Sequence, residues 1–223
     1  MMSVRIREFN EKDIPFKVDT INKDENNKFL HYDIPLQIDK TTLWFRNRDT
    51  LSRYDAVILF NGERVGLIGL IGIDPVKQSA EYYVSMAANE YKGKGIAKKA
   101  SLQLLHYGFH YLNLKTIFLT TEIENKSMQN LALAIGMKKR GKLQNHVMRQ
   151  GKLRDVYYYS MKSQDSSYEP TKIHSLYKDS NNNRILIKRE DQIDFSFAFS
   201  SIKYIKHRLH LSTTCLTRLN LIS

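Results

Sequence analysis

A glycine-rich basic segment offers the clearest site for chemistry in this sequence. Residues 90–100 read EYKGKGIAKKA, with Gly93 and Gly95 two positions apart and a helical pattern directly after them. Glycine lets the backbone approach a ligand closely, and the first amides of a helix favour negative charge. The segment therefore predicts an anion-binding site, with a plain turn before a solvated basic helix as the alternative. Four lysines add positive charge around it: Lys92, Lys94, Lys98 and Lys99.

Two common phosphate-binding motifs do not describe this segment. It lacks the G-x-x-x-x-G-K-[ST] spacing of the P-loop. It also lacks the G-x-G-x-x-G pattern after a first strand, which opens a dinucleotide-binding Rossmann unit. The segment therefore indicates a different class of anion site.

Composition is that of a globular protein with a basic surface. The 223-residue chain is 42% hydrophobic and 26% charged, with a net charge of +12. Basic charge suits nucleic acid, but no nucleic-acid-binding motif accompanies it, so nucleic acid is only a minor alternative. We expect no membrane span or signal peptide, because no apolar run is long enough. A single cysteine, Cys215, indicates a reducing, cytoplasmic location, and the histidine spacing predicts no metal site.

Periodic patterns in the first half of the chain predict strands and short helices around a hairpin. VRIREF at 4–9 predicts a first strand, and Asn10 marks the start of a helix. Asp39 is a candidate cap for a second short helix. Two apolar runs around Asn61–Gly62 predict a tight hairpin, and residues 80–87 predict the next strand.

The second half of the chain continues this pattern after the glycines. Residues 96–112 have apolar positions at helical spacing, and 116–121 predict a short buried strand. Asn125 caps a further helix that Gly136 ends. Two closing strands flank Gln150–Gly151. The element order predicts an α+β fold: a mixed, mostly antiparallel twisted sheet flanked by helices, with an irregular C-terminal extension.

Two of these segments resemble the GCN5-related N-acetyltransferase (GNAT) family. The family's pyrophosphate loop reads Arg/Gln-x-x-Gly-x-Gly/Ala, and KGKGIA at 92–97 fits from the second position on. The family also shows Asn-x-x-Ser/Ala followed by an apolar helix ending in Gly-Phe, and residues 125–137 keep that spacing. The resemblance covers roughly residues 3–162. It implies the GNAT fold, acetyl-CoA as co-substrate, and transfer of an acetyl group to an amine.

The resemblance also implies which residues bind the coenzyme. Met86 and Ala87, on the strand before the loop, would pair with the pantetheine arm. Asn125 would contact the coenzyme near the acetyl group. The loop amides would hold the pyrophosphate, and the loop residues are Lys92, Gly93, Lys94, Gly95, Ile96 and Ala97.

The catalytic groups are less clearly marked, because the chain departs from the family pattern. Lys92 replaces the usual Arg or Gln, which keeps charge but loses a planar donor fork. Ala132 stands where the family often has a general-acid tyrosine, so that role passes to another group, to water or to none. Glu81 is the first candidate for a general base and Glu122 the second, with a solvated strand-end acid as the alternative for each.

The C-terminal part has a resemblance of its own. We expect a GNAT acetyltransferase domain at 1–163, a linker at 164–180 and a truncated or poorly ordered extension at 181–223. Residues 170–197 resemble the start of a pyridoxal-phosphate enzyme of the aminocyclopropane-carboxylate deaminase type. No Gly-Gly-Asn-Lys segment with a Schiff-base lysine follows them. We therefore predict no functional pyridoxal phosphate site.

The acceptor amine is left open by the sequence. Residues 141–161 resemble the ends of amino-sugar acetyltransferases and of ribosomal-protein N-terminal acetyltransferases alike. The first hypothesis is an acetyl-CoA-dependent N-acetyltransferase of a small primary amine, such as a nucleotide-linked amino sugar. The alternatives are acetylation of a protein N-terminus, and a non-catalytic module that binds coenzyme A or nucleic acid. A homodimer is a further expectation.

Overall fold

The computed structural model describes residues 3–24, 28–30 and 34–165. Four longer helices and seven strands are numbered here in chain order. The helices are α1 (Ile14–Asn22), α2 (Ile38–Asn47), α3 (Ile96–His106) and α4 (Lys126–Ala134). The strands are β1 (Val4–Glu8), β2 (Arg53–Phe60), β3 (Glu63–Asp74), β4 (Ser79–Met86), β5 (Thr116–Glu122), β6 (Lys138–Arg149) and β7 (Lys152–Lys162).

The strands form one sheet in the order β1-β2-β3-β4-β5-β7-β6. Only β4 and β5 run parallel to each other, and the other five pairings are antiparallel. This arrangement confirms the predicted mixed, mostly antiparallel sheet flanked by helices. The parallel pair sits in the middle of the sheet, with an antiparallel group on either side.

Local turn chemistry sets the register of two hairpins. Asn61 and Gly62 have φ values of +50° and +91°, and Gln150 and Gly151 have +51° and +71°. Two successive positive φ angles are what a type I′ turn requires. Both predicted hairpins are therefore confirmed, with Phe60 opposite Glu63 and Arg149 opposite Lys152.

Asparagine side chains cap two of the predicted helical segments. The Asn10 side chain accepts a hydrogen bond from the Lys12 amide and starts a 3₁₀ turn that leads into α1. Asn125 caps α4 in the same way, through the Met128 amide at 3.2 Å. The predicted cap at Asp39 is wrong, because α2 begins at Ile38 and Asp39 already lies in its first turn. The partial positive charge at the N-terminus of α2 still stabilises the Asp39 carboxylate there.

Helices cover both faces of the sheet and create two apolar layers. One layer packs α3 and α4 against residues such as Ile68 and Leu119, and the other packs α1 and α2 against Val57 and Leu67. Because side chains alternate along a strand, neighbouring residues of β4 face different layers. Tyr82 bonds Ser101 on α3 at 2.6 Å, whereas Tyr83 faces α1 and α2.

The predicted linker and extension extend past the described part of the chain. β7 ends at Lys162, and a 3₁₀ turn follows at Ser163–Asp165. The rest of the linker, the extension at 181–223 and the resemblance to a pyridoxal-phosphate enzyme all lie outside the described residues. Within those residues, no helix is both long and apolar enough to cross a membrane. No cluster of His, Cys, Asp and Glu in the same part of the chain is suited to a metal ion.

Candidate active site

The sheet opens between its two parallel strands. β4 and β5 pair over only three residue pairs, from Ser79–Thr116 to Glu81–Phe118. Beyond that point both strands continue, β4 to Met86 and β5 to Glu122, without pairing to each other. We call this opening, bounded by residues 82–87 and 119–122, the strand cleft. Its facing strand edges can hydrogen-bond an extended ligand, as a further strand would.

The glycine loop, residues 92–95, lies directly before α3. Gly93 and Gly95 have φ values of +75° and +74°, a region that strains residues with a Cβ. A Cβ built on either glycine meets no heavy atom within 4 Å, so the space in front of the loop is open. Gly95 begins α3 without a side-chain cap, and Lys92 and Lys94 are exposed. Open space, uncapped helix amides and nearby cations together fit a pyrophosphate.

Met86 and Ala87, the predicted pantetheine partners, differ in which edge their peptide groups face. The Ala87 amide donates to the Val65 carbonyl at 2.8 Å, and its carbonyl accepts from Lys23 Nζ at 3.2 Å. In a strand, the N–H and C=O of one residue point to the same edge, and those of the next residue point to the opposite edge. Met86 therefore directs its N–H and C=O toward the strand cleft, whereas those of Ala87 are engaged by Val65 of β3 and by Lys23 at the end of α1.

Asn125 stands close to the end of β5. Its amide donates to the Glu122 carbonyl at 3.0 Å, and its side-chain oxygen caps α4. The side chain is partly exposed. This position places a polar side chain beside the strand cleft, as the family resemblance implies.

Glu81 lies at the fork where the strand cleft begins. It forms the last residue pair between β4 and β5, with Phe118. The Thr120 hydroxyl donates to Glu81 Oε1 at 2.9 Å, and the side chain is partly exposed. Glu81 shares the α1–α2 face of the sheet with Tyr83, two residues further on. A carboxylate at this fork is positioned to take a proton from an amine on that face.

Glu122 is held differently from Glu81. It is 1% exposed, and Arg149 donates from Nε and Nη2 to its two oxygens at 2.7 and 2.9 Å. The hydrogen bonds to Glu122 raise the pKa of Arg149. A carboxylate bound at both oxygens is a weaker proton acceptor, because protonation would disrupt the pair. The geometry thus favours Glu81 over Glu122 as a base.

A cavity of about 570 Å³ lies under α1 and α2 on the same face. Its volume is that of a small-molecule site. β4 contributes Tyr83, Val84 and Ser85 to its wall, so the cavity reaches the strand beyond the fork. We call it the α1–α2 cavity. Other elements contribute charged and aromatic side chains to the wall, including Lys17, Lys40, Trp44, Arg53 and Asp55.

The carboxylate in this cavity is neutralised by its neighbours. Arg53 donates to both oxygens of Asp55 at 2.7 and 2.8 Å, and the Tyr83 hydroxyl donates at 2.6 Å. Burial by itself raises the pKa of Asp55, but the hydrogen bonds from Arg53 and Tyr83 outweigh it and hold the pKa below its usual value. Asp55 is therefore charged and fully engaged.

Lys17 brings a second kind of charge to the cavity. Its Nζ lies 3.5 Å from the centroid of the Trp44 ring, a cation–π contact. No carboxylate among residues 3–24, 28–30 and 34–165 bonds to it. Burial lowers the pKa of Lys17 to about 8, although Asp55 acts to raise it. The ammonium is thus charged at neutral pH and lacks a described carboxylate partner.

Ala132, at the position where the family often has a tyrosine, offers no hydroxyl. Its side chain is completely buried where α4 packs on the sheet. An alanine cannot protonate the leaving thiolate, so any such proton comes from elsewhere. The structure does not bring Glu122 into that role, since Arg149 engages it.

The α1–α2 cavity is not marked by any sequence motif. Its charged residues come from α1, α2 and β2, and no motif joins them. One signal was present, since Lys17 stands between Ile14 and Ile21 at helical spacing on the buried side of α1. A lysine at such a position indicates either a packed stem or a buried charge with a function.

Comparison with known proteins identifies close matches to acetyltransferases. The family model described as an acetyltransferase (GNAT) domain matches residues 3–138. YdaF of Bacillus subtilis (strain 168), named as a candidate ribosomal N-acetyltransferase, is 30% identical over 120 residues, 53% of this chain and 64% of that protein. Spermidine N(1)-acetyltransferase of Escherichia coli (strain K12) is 26% identical over 158 residues, 69% of this chain and 83% of that protein.

Solved structures share the fold. The crystal structure of spermidine N-acetyltransferase from Vibrio cholerae, in complex with CoA and spermine, superposes with a TM-score of 0.66 at 23% identity. The match covers 73% of this chain and 97% of that chain. A dodecameric structure of the Vibrio cholerae enzyme, in an intermediate state, superposes with a TM-score of 0.62 at 24% identity, over 73% of this chain and 95% of that chain.

Proposed function

This chain belongs to the GNAT acetyltransferase family and is an acetyl-CoA-dependent N-acetyltransferase, and we propose that it acetylates the primary amine of a small molecule bound in the α1–α2 cavity. One observation carries the proposal. The cavity wall includes Val84 and Ser85, which lie beyond Glu81, the last residue of β4 that pairs with β5. A molecule in the cavity therefore lies against the strand cleft, where the acetyl group of the coenzyme would be held.

The coenzyme would bind on the side of the strand cleft opposite the α1–α2 cavity. The amides of residues 93–97 would hold the pyrophosphate, with Lys92 and Lys94 adding charge. The Met86 peptide groups would pair with the pantetheine arm, next to Ala87. Asn125 would contact the coenzyme near the acetyl group. Backbone donors suit this task because they are fixed by the fold before the ligand arrives.

Glu81 would serve as the base in the transfer. The neutral amine attacks the thioester carbonyl, a C–N bond forms, and the C–S bond breaks to release the thiolate of coenzyme A. The amine's proton passes to Glu81, directly or through one water. The thiolate is a good leaving group, which is consistent with alanine at position 132. Holding amine and thioester together supplies much of the rate.

The cavity also supports a choice among acceptors. A volume of about 570 Å³ suits a small molecule such as an amino sugar, and a nucleotide-linked amino sugar is our first candidate. The 30% identity to YdaF favours a second candidate, the N-terminus of a protein. The volume of the cavity, within the range of small-molecule sites, supports the small molecule as the first candidate.

A thiol-release assay with acetyl-CoA tests the proposal against a panel of amines, amino sugars and peptides. We expect turnover with a small amine. Ser85→Phe would fill the cavity next to the cleft, abolish that turnover and leave acetyl-CoA binding within about threefold. Thr50→Phe, at an exposed position outside the cavity, is the matched control. Turnover of peptides alone, unaffected by Ser85→Phe, would refute the proposal and favour a protein substrate.

A further inference from the structure

We infer that the α1–α2 cavity recognises an acidic group on the acceptor, a carboxylate or a phosphate, through the ammonium of Lys17. The inference rests on the proposed function for the identity of the cavity as the acceptor site. It goes further by assigning the acceptor a chemical class: an amine that also carries an acid.

The described wall of the cavity has a net positive charge. Its described lining holds three cationic side chains, Lys17, Lys40 and Arg53, and one carboxylate, Asp55. Arg53 binds Asp55 at both oxygens, so these two charges cancel locally. Two lysines then leave the described wall with net positive charge. A pocket with this charge attracts anions and repels cations.

The Lys17 ammonium is partly desolvated and lies over an aromatic ring. The stem of Lys17 lies on the buried side of α1, and its Nζ sits over the Trp44 ring. Asp55 lies in the same cavity but is hydrogen-bonded by Arg53 and Tyr83. A partly desolvated ammonium that is not hydrogen-bonded to an anion loses hydration energy that the ring replaces only in part. A bound carboxylate or phosphate would supply a charge-assisted hydrogen bond. The lowered pKa of about 8 still leaves the group mostly protonated at neutral pH.

The described wall of the cavity offers little to a polyamine. A polyamine carries several ammonium groups, and the described cavity wall has only Asp55 to offer them. Asp55 is already bound by Arg53 and Tyr83. An acceptor with an acid at Lys17 and an amine toward Ser85 would instead contact two residues of the cavity wall that suit those groups.

Trp44 provides a binding readout that does not depend on catalysis. It is the only tryptophan in the chain and lines the cavity beside Lys17. Ligands at Lys17 should therefore change the intrinsic fluorescence of the full-length protein. The probes are β-alanine and phosphoethanolamine, which carry a carboxylate and a phosphate, with ethanolamine as the amine that lacks an acid and spermidine as the polycation.

We expect at least one acid-bearing probe to bind about tenfold or more tightly than ethanolamine, and spermidine to bind weakest. Whichever of β-alanine and phosphoethanolamine binds more tightly shows whether the cavity prefers a carboxylate or a phosphate. Lys17→Met, which keeps the stem, should erase the preference, and Lys17→Arg should restore it. Lys77→Met, 80% exposed and remote from the cavity, controls for net charge.

Three results would overturn the inference. They are equal binding of ethanolamine and both acids, tightest binding of spermidine, and an unchanged preference in Lys17→Met. Absence of any fluorescence response to either acid at millimolar concentration counts against it in the same way. Because none of these measurements uses acetyl-CoA, they are independent of whether acetyl transfer to a small amine is observed.

Discussion

The glycine loop and the α1–α2 cavity are both proposed to hold negative charge, and they are built in opposite ways. The loop uses backbone amides, and its lysines are exposed. The cavity uses side chains from α1, α2 and β2, held by a buried ion pair and an aromatic ring. One region is continuous in sequence and open to solvent. The other is dispersed in sequence and part of the core.

This difference has a physical consequence for substitution. In the loop, φ angles and open space matter, so a change there affects a ligand more than the fold. In the cavity, charges are desolvated, so removing one leaves its partner unpaired inside the protein. The cavity is expected to couple binding to stability, and the loop is not. The predictions below test this contrast.

Asp55→Asn should have the largest effect, a loss of about 3 kcal/mol in the free energy of unfolding, because Arg53 would keep a partly buried charge without its partner. Urea unfolding measures it. The pKa of Asp55 is held below its usual value, so its contribution is present above about pH 4 and is lost as pH falls through the folded-state pKa. The difference between variant and wild type should therefore shrink in acid.

Asp74→Asn is the matched control for Asp55→Asn. Asp74 forms an ion pair with Lys77 at the surface. Its Oδ1 also accepts hydrogen bonds from the backbone amides of Val76 and Lys77, and the side-chain oxygen of an asparagine could accept the same two bonds. The effect of this substitution on the free energy of unfolding should be much smaller than that of Asp55→Asn, because solvent screens an exposed pair. Equal losses in the two variants would contradict the idea that the cavity charges belong to the core.

Glu81→Gln should lower kcat on the order of 10²-fold, because the amide keeps the shape of the carboxylate but cannot accept the amine's proton. Acetyl-CoA affinity should hardly change. The deficit should shrink as pH rises, since more acceptor then arrives as the free amine. Glu122→Gln is the comparison: it should weaken the pair with Arg149 and lower stability more than kcat. Wild-type turnover in Glu81→Gln between about pH 6 and 9 would leave water or Glu122 as the base.

Gly95→Asp should weaken acetyl-CoA binding about tenfold or more, roughly 1.4 kcal/mol, through charge repulsion and a Cβ at positive φ. Isothermal titration measures the affinity. Gly141→Asp is the matched control, since its Cβ also meets nothing within 4 Å and Gly141 is not among the positive-φ glycines. Unchanged affinity in Gly95→Asp would remove the loop from the coenzyme site.

The pH dependence of anion binding should show the smallest effect. With a pKa of about 8, Lys17 is protonated in roughly nine tenths of molecules at about pH 7 and one tenth at about pH 9. Affinity for phosphoethanolamine should therefore fall by several-fold, at most about tenfold, over that range. Lys40, Arg53, Asp55 and Tyr83 also face the cavity, and Lys17→Met should remove the dependence if Lys17 is its source.

Sequence patterns predicted most of the fold because the signals are local. Asn61–Gly62 and Gln150–Gly151 specify their turns through backbone conformations that few residues adopt. Asn125 and Gly136 likewise mark the two ends of α4. The prediction that Asp39 caps α2 was wrong because this helix starts without a side-chain cap. Packing of its apolar face decides where α2 begins.

The glycine loop could be predicted for the same reason: glycines, lysines and a helix start follow one another in the chain. Tertiary structure alone showed that Arg149 engages Glu122 across 27 residues, and that Glu81 stands at the fork of β4 and β5. It alone joined Lys17, Trp44 and Asp55 in one cavity. Backbone conformation depends on neighbours in sequence, whereas the charge of a pocket depends on residues that only folding brings together.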